Sequence, residues 1–284
     1  MPKVSVIIPT MPGREAMLTK LLTTIPSIYE VVVVDDMDIL LAAKRNKGAM
    51  KSGGEYLLFI DDDNYLGLSA IENALAIAEE PSVGVVGFMA TYHDRQQFVA
   101  DGGSMRNHLT GFTTGVNTNA YFPNISHEPY EVDEIANCFM IHSELFFELG
   151  GFDEKNFPMD MNESDLCKRI KDKGLKVMMA PMARCYHKSV TYSCFPTFRK
   201  EMYAYYHGNG RINFSRKSYP GLRYWCHLGI FLPLFISFYT ASLIWQRNWK
   251  VILPFWRGIA HGLQGRLENP YQQEKMQKDW SFSI

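Results

Sequence analysis

Tyr56-Leu57-Leu58-Phe59-Ile60-Asp61-Asp62-Asp63 is the most informative segment of this 284-residue chain. Five apolar residues preceded by Gly53-Gly54 indicate a buried strand, and three carboxylates follow at its C-terminal end. Open α/β sheets bind ligands beyond the carboxyl ends of their strands. Because adjacent anions repel one another, the cluster favours a site for Mg²⁺ or Mn²⁺ with a diphosphate. The alternative is a polar loop without a ligand, since Asp also favours turns.

Two upstream apolar segments also end in polar residues. Val4-Ser-Val-Ile-Ile-Pro9 leads into Thr10, and the β-branched run Val31–Val34 leads into Asp35-Asp36. Helical spacing of apolar residues over 16–25 and 42–51 separates the strands. The alternation predicts an α/β fold with a doubly wound, mostly parallel sheet and a Rossmann-like nucleotide-binding half. The strand ends should then lie along one edge of the sheet and form one polar crevice.

Charge and length exclude several classes of protein. Lys plus Arg number 29 and Asp plus Glu 30, a balance that argues against nucleic acid as the main partner. The chain is long enough for one large α/β domain and an appendage. Five cysteines without metal-finger spacing are typical of reduced thiols in a cytoplasmic protein. The start leads directly into a strand, so we expect no signal peptide.

The C-terminal part differs in composition. Residues 224–245 contain no Asp, Glu, Lys or Arg, and this length reaches the threshold for a membrane-spanning helix. Trp225 and Trp245 resemble interfacial aromatics, basic residues flank both sides, and Pro233 should break or kink the helix. We therefore predict a catalytic domain over 1–200 and a helical tail over 201–284 that lies on an anionic membrane, peripheral or monotopic, at its cytoplasmic face. A single span, or a hydrophobic hairpin buried in a dimer or against the main domain, stays open.

The ordered motifs resemble the family 2 glycosyltransferases, inverting enzymes with the GT-A fold that use nucleotide-activated sugars. The resemblance covers about residues 3 to 190. Besides the two opening strands, it is carried by Ala42-Ala-Lys-Arg-Asn-Lys-Gly48, the strand ending in Asp61-Asp-Asp63, Gly150-Gly-Phe-Asp153 and Asn162-Glu-Ser-Asp-Leu-Cys-Lys-Arg169.

This resemblance implies roles on the donor side of the reaction. Residues expected to hold the nucleotide and its phosphates, with Arg45 facing the ribose or diphosphate, are Pro9, Thr10, Arg14, Asp35, Asp36, Arg45, Asp61 and Asp62. The implied ligands of Mn²⁺ or Mg²⁺ are Asp63, Asp61 and, as in some members, His187. Asp36 is followed by Met37-Asp38-Ile39 rather than the usual Asp-Gly-Ser-x-Asp loop, so the nucleotide base does not transfer from the family.

On the acceptor side, the resemblance places Glu163 at the general-base position, where the family usually has Asp. Asp165 is the second candidate, although it also stands where an N-cap would start the following helix.

The expected reaction moves a sugar from a nucleotide-diphosphate donor to a hydroxyl of a glycan or lipid-linked acceptor. The sequence is compatible with a monomer or a homo-oligomer. Two alternatives remain, a non-catalytic transferase-like partner subunit and a sugar-phosphate nucleotidyltransferase. The second usually has a Gly-rich basic loop after the first strand, which Thr10-Met-Pro-Gly-Arg14 matches poorly.

Overall fold

The computed structural model describes residues 2–107, 110–188 and 197–266, with the backbone alone for 197–199. The chain forms two compact units. The first unit contains residues 2–106, Thr113–Phe152 and 163–188, and the second contains the described residues of 107–112, Asp153–Asn162 and 197–266.

A mixed sheet with flanking helices builds the first unit. The strands of its main sheet run in the order β2-β1-β3-β10-β5-β11-β4, with β6 paired to β5 and β9 to β11, and β7 pairs with β8 separately. The strands are β1 Val4–Pro9, β2 Glu30–Val34, β3 Tyr56–Ile60, β4 Asn64–Leu66, β5 Val83–Tyr92, β6 Val99–Asp101, β7 Ser104–Arg106, β8 Thr113–Gly115, β9 Tyr130–Glu131, β10 Cys138–His142 and β11 Lys176–His187. The helices are α1 Glu15–Leu22, α2 Leu41–Lys51, α3 Ala70–Ala78, α4 Ser143–Glu148 and α5 Asn162–Asp172, with a 3₁₀ turn at Phe122–Asn124.

Parallel pairing of β1 with both β2 and β3 confirms the predicted doubly wound α/β core. Ile7 pairs with Val32 on one side and with Phe59 on the other, which brings the carboxyl ends of all three strands to one edge. The sheet as a whole is mixed: β10 lies antiparallel between β3 and β5, whereas β11 pairs with β5 in parallel.

The buried position of β3 explains its continuous apolar sequence. Alternate side chains enter two core clusters, Leu58 and Ile60 on one face of the sheet and Leu57 and Phe59 on the other. Helix α2 packs closely on β1, because a Cβ built at Gly48 would lie 2.4 Å from a methyl carbon of Ile7. This close approach brings α2 to the sheet edge where β3 ends.

The mostly apolar run Leu175–Ala180 predicts a short strand, and strand β11 extends well beyond it to His187. Its pairing with β5 shifts between Ala180 and Arg184, so that three residues form an irregularity and the strand then continues. Its last residues pair with β4, with His187 opposite Asn64. The extension therefore places His187 beside the acidic turn.

Helices dominate the second unit: α6 Thr197–Ser218, α7 Leu222–Cys226, α8 Leu232–Trp245 and α9 Trp249–Leu263. Helices α6 and α9 pack at a glycine contact, because a Cβ on Gly258 would lie 2.0 Å from the Tyr205 carbonyl oxygen. Segment Asp153–Asn162 also belongs to this unit. The boundary at residue 200 stays a prediction.

The expected break at Pro233 is not observed. Residues Leu222–Trp245 form one helical segment of 24 residues, in which a π-helical turn, His227–Phe231, lies just before α8. A wide turn is one of the local adjustments by which a helix accommodates the missing N–H and bulky ring of proline. The apolar segment Leu222–Trp245 therefore presents one continuous helical surface.

Candidate active site

The acidic turn Asp61-Asp62-Asp63 lies at the carboxyl end of β3. The Asp61 N–H donates to the Asn137 carbonyl at 3.2 Å, and the Asn64 N–H donates to the Asp61 carbonyl at 3.0 Å. These bonds close a tight turn, which points the three carboxylates toward different partners.

Asp62 is the buried member of the turn. It is 1% exposed, its Oδ2 accepts from the Thr10 hydroxyl at 2.6 Å, and its Oδ1 lies 3.0 Å from Arg14 Nε. Burial raises the pKa of Asp62 to about 6, against the opposing effects of Arg14 and Thr10. Asp62 therefore ties the end of β3 to the loop after β1.

Arg14 connects two members of the turn. Its second terminal nitrogen donates to Asp63 Oδ2 at 2.6 Å. Burial lowers the pKa of the guanidinium, but Asp63 and Asp62 outweigh that effect and the net direction is upward. Arg14 is thus engaged by carboxylates, and its predicted contact with phosphate stays a prediction.

Asp61 and Glu163 share a buried cation. Arg45, 0% exposed, donates to Asp61 Oδ1 at 2.9 Å and forms an ion pair with Glu163, in the first turn of α5. Burial alone lowers the pKa of Arg45, and the charges of Glu163 and Asp61 reverse the direction to upward. The guanidinium also lies over the rings of Phe139 and Phe152. The sequence did not indicate this bridge between the donor-side and acceptor-side carboxylates.

Asp63 and His187 come together through strand pairing. The Lys188 N–H donates to the Asp63 carbonyl at 2.8 Å, and His187 Nε2 lies 3.8 Å from Asp63 Oδ1. The structure thus brings together two predicted metal ligands that are far apart in the sequence.

Asp101, at the end of β6, is a site residue that sequence reasoning missed. Its carboxylate accepts from the Gly103 N–H at 2.8 Å and from the Asn137 amide at 3.4 Å, and burial raises its pKa. His187 acts on it electrostatically in the opposite direction. Asp101-Gly102-Gly103 is a turn signal that could have marked the position, but it lies in a stretch without regular spacing.

Other predicted residues lie at the same edge with different environments. Thr10 is buried, its carbonyl accepts from Lys44 Nζ at 2.6 Å, and Pro9 ends β1. Asp36 pairs with Lys47 at 2.6 Å, whereas Asp35 is exposed.

Asp165 is buried within the first unit and lies 2.8 Å from Arg169 one turn later. Arg169 in turn donates to the carbonyls of Leu149 and Gly151. Through Arg169, Asp165 therefore holds the turn at Gly150-Gly151 against α5. Glu163 makes no such contact, since its ion pair is with Arg45.

The side-chain atoms at the acidic turn could bind a divalent metal ion, both by their element type and by the distance between them. Asp63 Oδ1 and His187 Nε2, 3.8 Å apart, are within the distance that two ligands of one ion can span at about 2.0–2.2 Å each. Carboxylate oxygen is a preferred ligand of Mn²⁺ and Mg²⁺, and a neutral imidazole nitrogen is a common additional ligand of metal ions. Among the described residues there is no cluster of three or more His, Cys, Asp or Glu side chains placed to hold one metal ion, so this part of the chain would supply fewer than three such ligands. Phosphate oxygens and water would therefore complete such a shell.

A family model described as glycosyltransferase like family 2 matches residues 18–207, more than half of the chain. The chain belongs to glycosyltransferase-like family 2. A curated relative, the uncharacterised protein y4gI of Sinorhizobium fredii, is 25% identical over 151 residues, which are 51% of this chain and 16% of that protein. This family 2 chain therefore spans a small part of that relative's length.

Two solved structures share the fold of this family 2 chain. GalNAc-T7 with UDP, GalNAc and Mn²⁺ has a TM-score of 0.54 at 17% identity, covering 74% of this chain and 50% of that chain. The mannosyltransferase PcManGT from Pyrobaculum calidifontis, with GDP-Man and Mn²⁺, has a TM-score of 0.53 at 12% identity, covering 94% and 88%. At such identities the likeness shows the fold alone, and it confirms the GT-A expectation.

Proposed function

We propose that this chain is an inverting, metal-dependent glycosyltransferase that uses a nucleotide-diphosphate sugar. The observation that carries the proposal is the convergence of Asp63 and His187 beside Asp61 and Asp62 at one strand end, in a family 2 chain. The donors in the two solved structures of similar fold, UDP with GalNAc and GDP-Man, support this class of donor.

On the donor side, Asp63 and His187 would hold the divalent ion, with Asp61 close by. Mn²⁺ or Mg²⁺ in this place would supply charge neutralisation for the departing diphosphate. The Thr10–Asp62–Arg14 contacts fix the loop after β1 against the acidic turn, so the edge that receives the nucleotide is set before binding. Pro9, Asp35 and Asp36 line the same edge as candidates for the base and ribose.

On the acceptor side, we assign the base role to Glu163 alone. Arg45 holds Glu163 Oε1, and within the described part of the chain Oε2 has no hydrogen-bond partner. Glu163 Oε2 can take the proton of the acceptor hydroxyl. At the same time the acceptor oxygen forms a bond to the anomeric carbon, and the bond from that carbon to the diphosphate breaks. A single displacement of this kind inverts the anomeric configuration. Asp165 is unsuited because it is buried against Arg169.

The acceptor that we propose is a hydroxyl of a glycan or lipid-linked glycan. No contact among the described residues specifically favours either alternative, the non-catalytic partner subunit or the sugar-phosphate nucleotidyltransferase. Thr10 packs against Asp62 rather than heading a glycine-rich phosphate loop, which disfavours a nucleotidyltransferase.

Mn²⁺ binding in the presence of UDP or GDP tests the metal assignment. His187→Ala should weaken Mn²⁺ binding by at least about tenfold in electron paramagnetic resonance titrations. His142→Ala is the matched control, since His142 caps α4 and is partly exposed. Equal Mn²⁺ affinity in wild type and His187→Ala would contradict this donor set.

A further inference from the structure

The helices α8 and α9 in the second unit have two apolar faces each. On α8, Leu232, Ile236 and Leu243 are buried, while Phe238 and Trp245 are 75% and 89% exposed. The two sets stand on opposite sides, because residues two apart on a helix are separated by about 200°. A helix that is apolar all round needs cover on both faces.

Helix α9 repeats this arrangement. Val251, Phe255 and Ile259 face inward and share a core cluster with Ile212 of α6. Trp249, Leu253 and Trp256 point outward and are exposed, Leu253 by 76%. The inward faces therefore account for the packing of the unit. The exposed apolar side chains of the two helices are together called the outward face of α8 and α9.

Charge decides which partner fits the outward face. Residues 202–266 contain eight Lys and Arg and no Asp or Glu, in a chain with a net charge of −1. Arg247 and Lys250, between and at the start of the helices, are exposed. Two copies meeting through this surface would bring like charges together, whereas anionic lipid headgroups are complementary to it.

Polar contacts beside α8 decide its orientation. By length and composition Leu222–Trp245 could cross a membrane. However, Tyr239 lies 4.8 Å from the His207 ring, and His207 pairs with Asp160 at 2.7 Å. Arg211 lies 4.9 Å over Phe235. A transmembrane α8 would carry these ionisable groups into hydrocarbon, which is costly, so a position in the plane of the interface is favoured.

We infer that the outward face of α8 and α9 docks on an anionic membrane surface, with its Trp, Phe and Leu side chains among the headgroups and upper acyl chains. Exposed basic residues at the helix ends contact the lipid phosphates. This inference needs no donor and no turnover, so it stands or falls separately from the proposed transferase chemistry.

Intrinsic fluorescence measures this docking directly, because all five tryptophans of the chain lie at or after residue 225. The 284-residue chain is titrated with vesicles of phosphatidylcholine alone and with vesicles of phosphatidylcholine that contain 30 mol % phosphatidylglycerol. We expect a blue shift and at least about tenfold tighter binding to the anionic vesicles at low salt, with release in concentrated NaCl.

Two sets of variants separate the apolar and ionic parts. Phe238→Ser with Leu253→Ser should weaken binding by at least about tenfold, since each loses exposed apolar area that would leave water. Ile28→Ser with Leu68→Ser, two apolar residues of the first unit that are at least as exposed, is the matched control and should bind like wild type. Arg247→Gln with Lys250→Gln should weaken binding by about 30-fold.

Absence of binding to anionic vesicles, or equal loss in the control pair, would overturn the inference. So would a concentration-dependent dimer that is lost in Phe238→Ser with Leu253→Ser, without vesicle binding. Brominated lipids test the orientation on the variant Leu234→Trp, because the exposed residue 234 lies at the middle of Leu222–Trp245, whereas Trp225 and Trp245 would lie near the headgroups in either orientation. We expect the quenching added by this tryptophan to be stronger with bromine near the headgroup than with bromine at the chain ends. The reverse order would show that α8 crosses the bilayer.

Discussion

Replacing Arg45 by Met tests the buried bridge between the two sides of the site. Arg45 is 0% exposed, while its partners Asp61 and Glu163 are 26% and 18% exposed in their side chains. Removing one partner from a buried ion pair costs about 3–5 kcal/mol, because a charge is left without compensation. Since both carboxylates keep some contact with water, we expect the low end, about 3 kcal/mol. This is a large share of a domain's usual 5–15 kcal/mol.

Two further variants calibrate the result. Arg45→Lys keeps the charge but loses the fork that reaches two carboxylates, so we expect a loss of about 1–2 kcal/mol. Lys47→Met, on the same helix, breaks a pair whose side chains are 38% and 27% exposed, and should cost no more than about 1 kcal/mol.

Native-state hydrogen exchange of β3 and α5 is the suitable assay, because it measures local opening free energies in the first unit. The tryptophans all lie in the C-terminal part and do not report on this unit. If Arg45→Met lost less than about 1 kcal/mol, or no more than Lys47→Met, the bridge would not hold β3 and α5 together as we argue.

Three other substitutions have separate outcomes. Glu163→Gln should reduce transfer by about 10²–10⁴-fold with donor binding unchanged in calorimetry, because the base acts on the acceptor; a mild effect would return the role to another carboxylate. Asp165→Asn should instead lower the free energy of unfolding by about 1–3 kcal/mol through its contact with Arg169, with turnover in the folded enzyme within a few-fold of wild type; a loss of turnover without a loss of stability would contradict its structural assignment. Gly258→Ala should destabilise the second unit by about 1–3 kcal/mol in urea unfolding followed by tryptophan fluorescence, since its Cβ would lie 2.0 Å from the Tyr205 carbonyl oxygen. Gly229→Ala, whose Cβ meets nothing within 4 Å, is the control and should unfold at the urea concentration of wild type or above.

The ends of the strands in the first unit could be predicted from the sequence, because the apolar runs and the polar residues that follow them match the buried strands and the exposed edge of the sheet. The run before Asp61 is apolar at every position since β3 is buried on both faces. The ends of β1 and β2 also follow from turn chemistry, with Pro9 and Asp35 directly at or after them.

Long-range pairing set the limits of prediction from the residues alone. The sequence predicts a short strand that ends at Ala180, yet β11 continues past Pro181 with a shift in pairing and carries His187 to Asp63. Family resemblance indicated His187, but periodicity did not.

Burial and local backbone adjustment account for the other differences. Arg45 was expected to face the donor, and nothing in the helical spacing of α2 signals that two distant carboxylates enclose it. Proline is expected to break or kink a helix, and the π-helical turn His227–Phe231, which precedes Pro233, is not indicated by the spacing of its residues.

The most direct test of the central claim is a phosphorus and proton NMR measurement on the 284-residue chain with Mg²⁺, which is diamagnetic and does not broaden the resonances as Mn²⁺ would. A panel of nucleotide sugars is followed for slow donor cleavage, first with water and then with candidate glycan acceptors. We predict release of a nucleoside diphosphate from one donor, loss of this activity in Asp63→Ala, and a product whose anomeric configuration is inverted. Release of pyrophosphate, a retained configuration, or full activity in Asp63→Ala would contradict it.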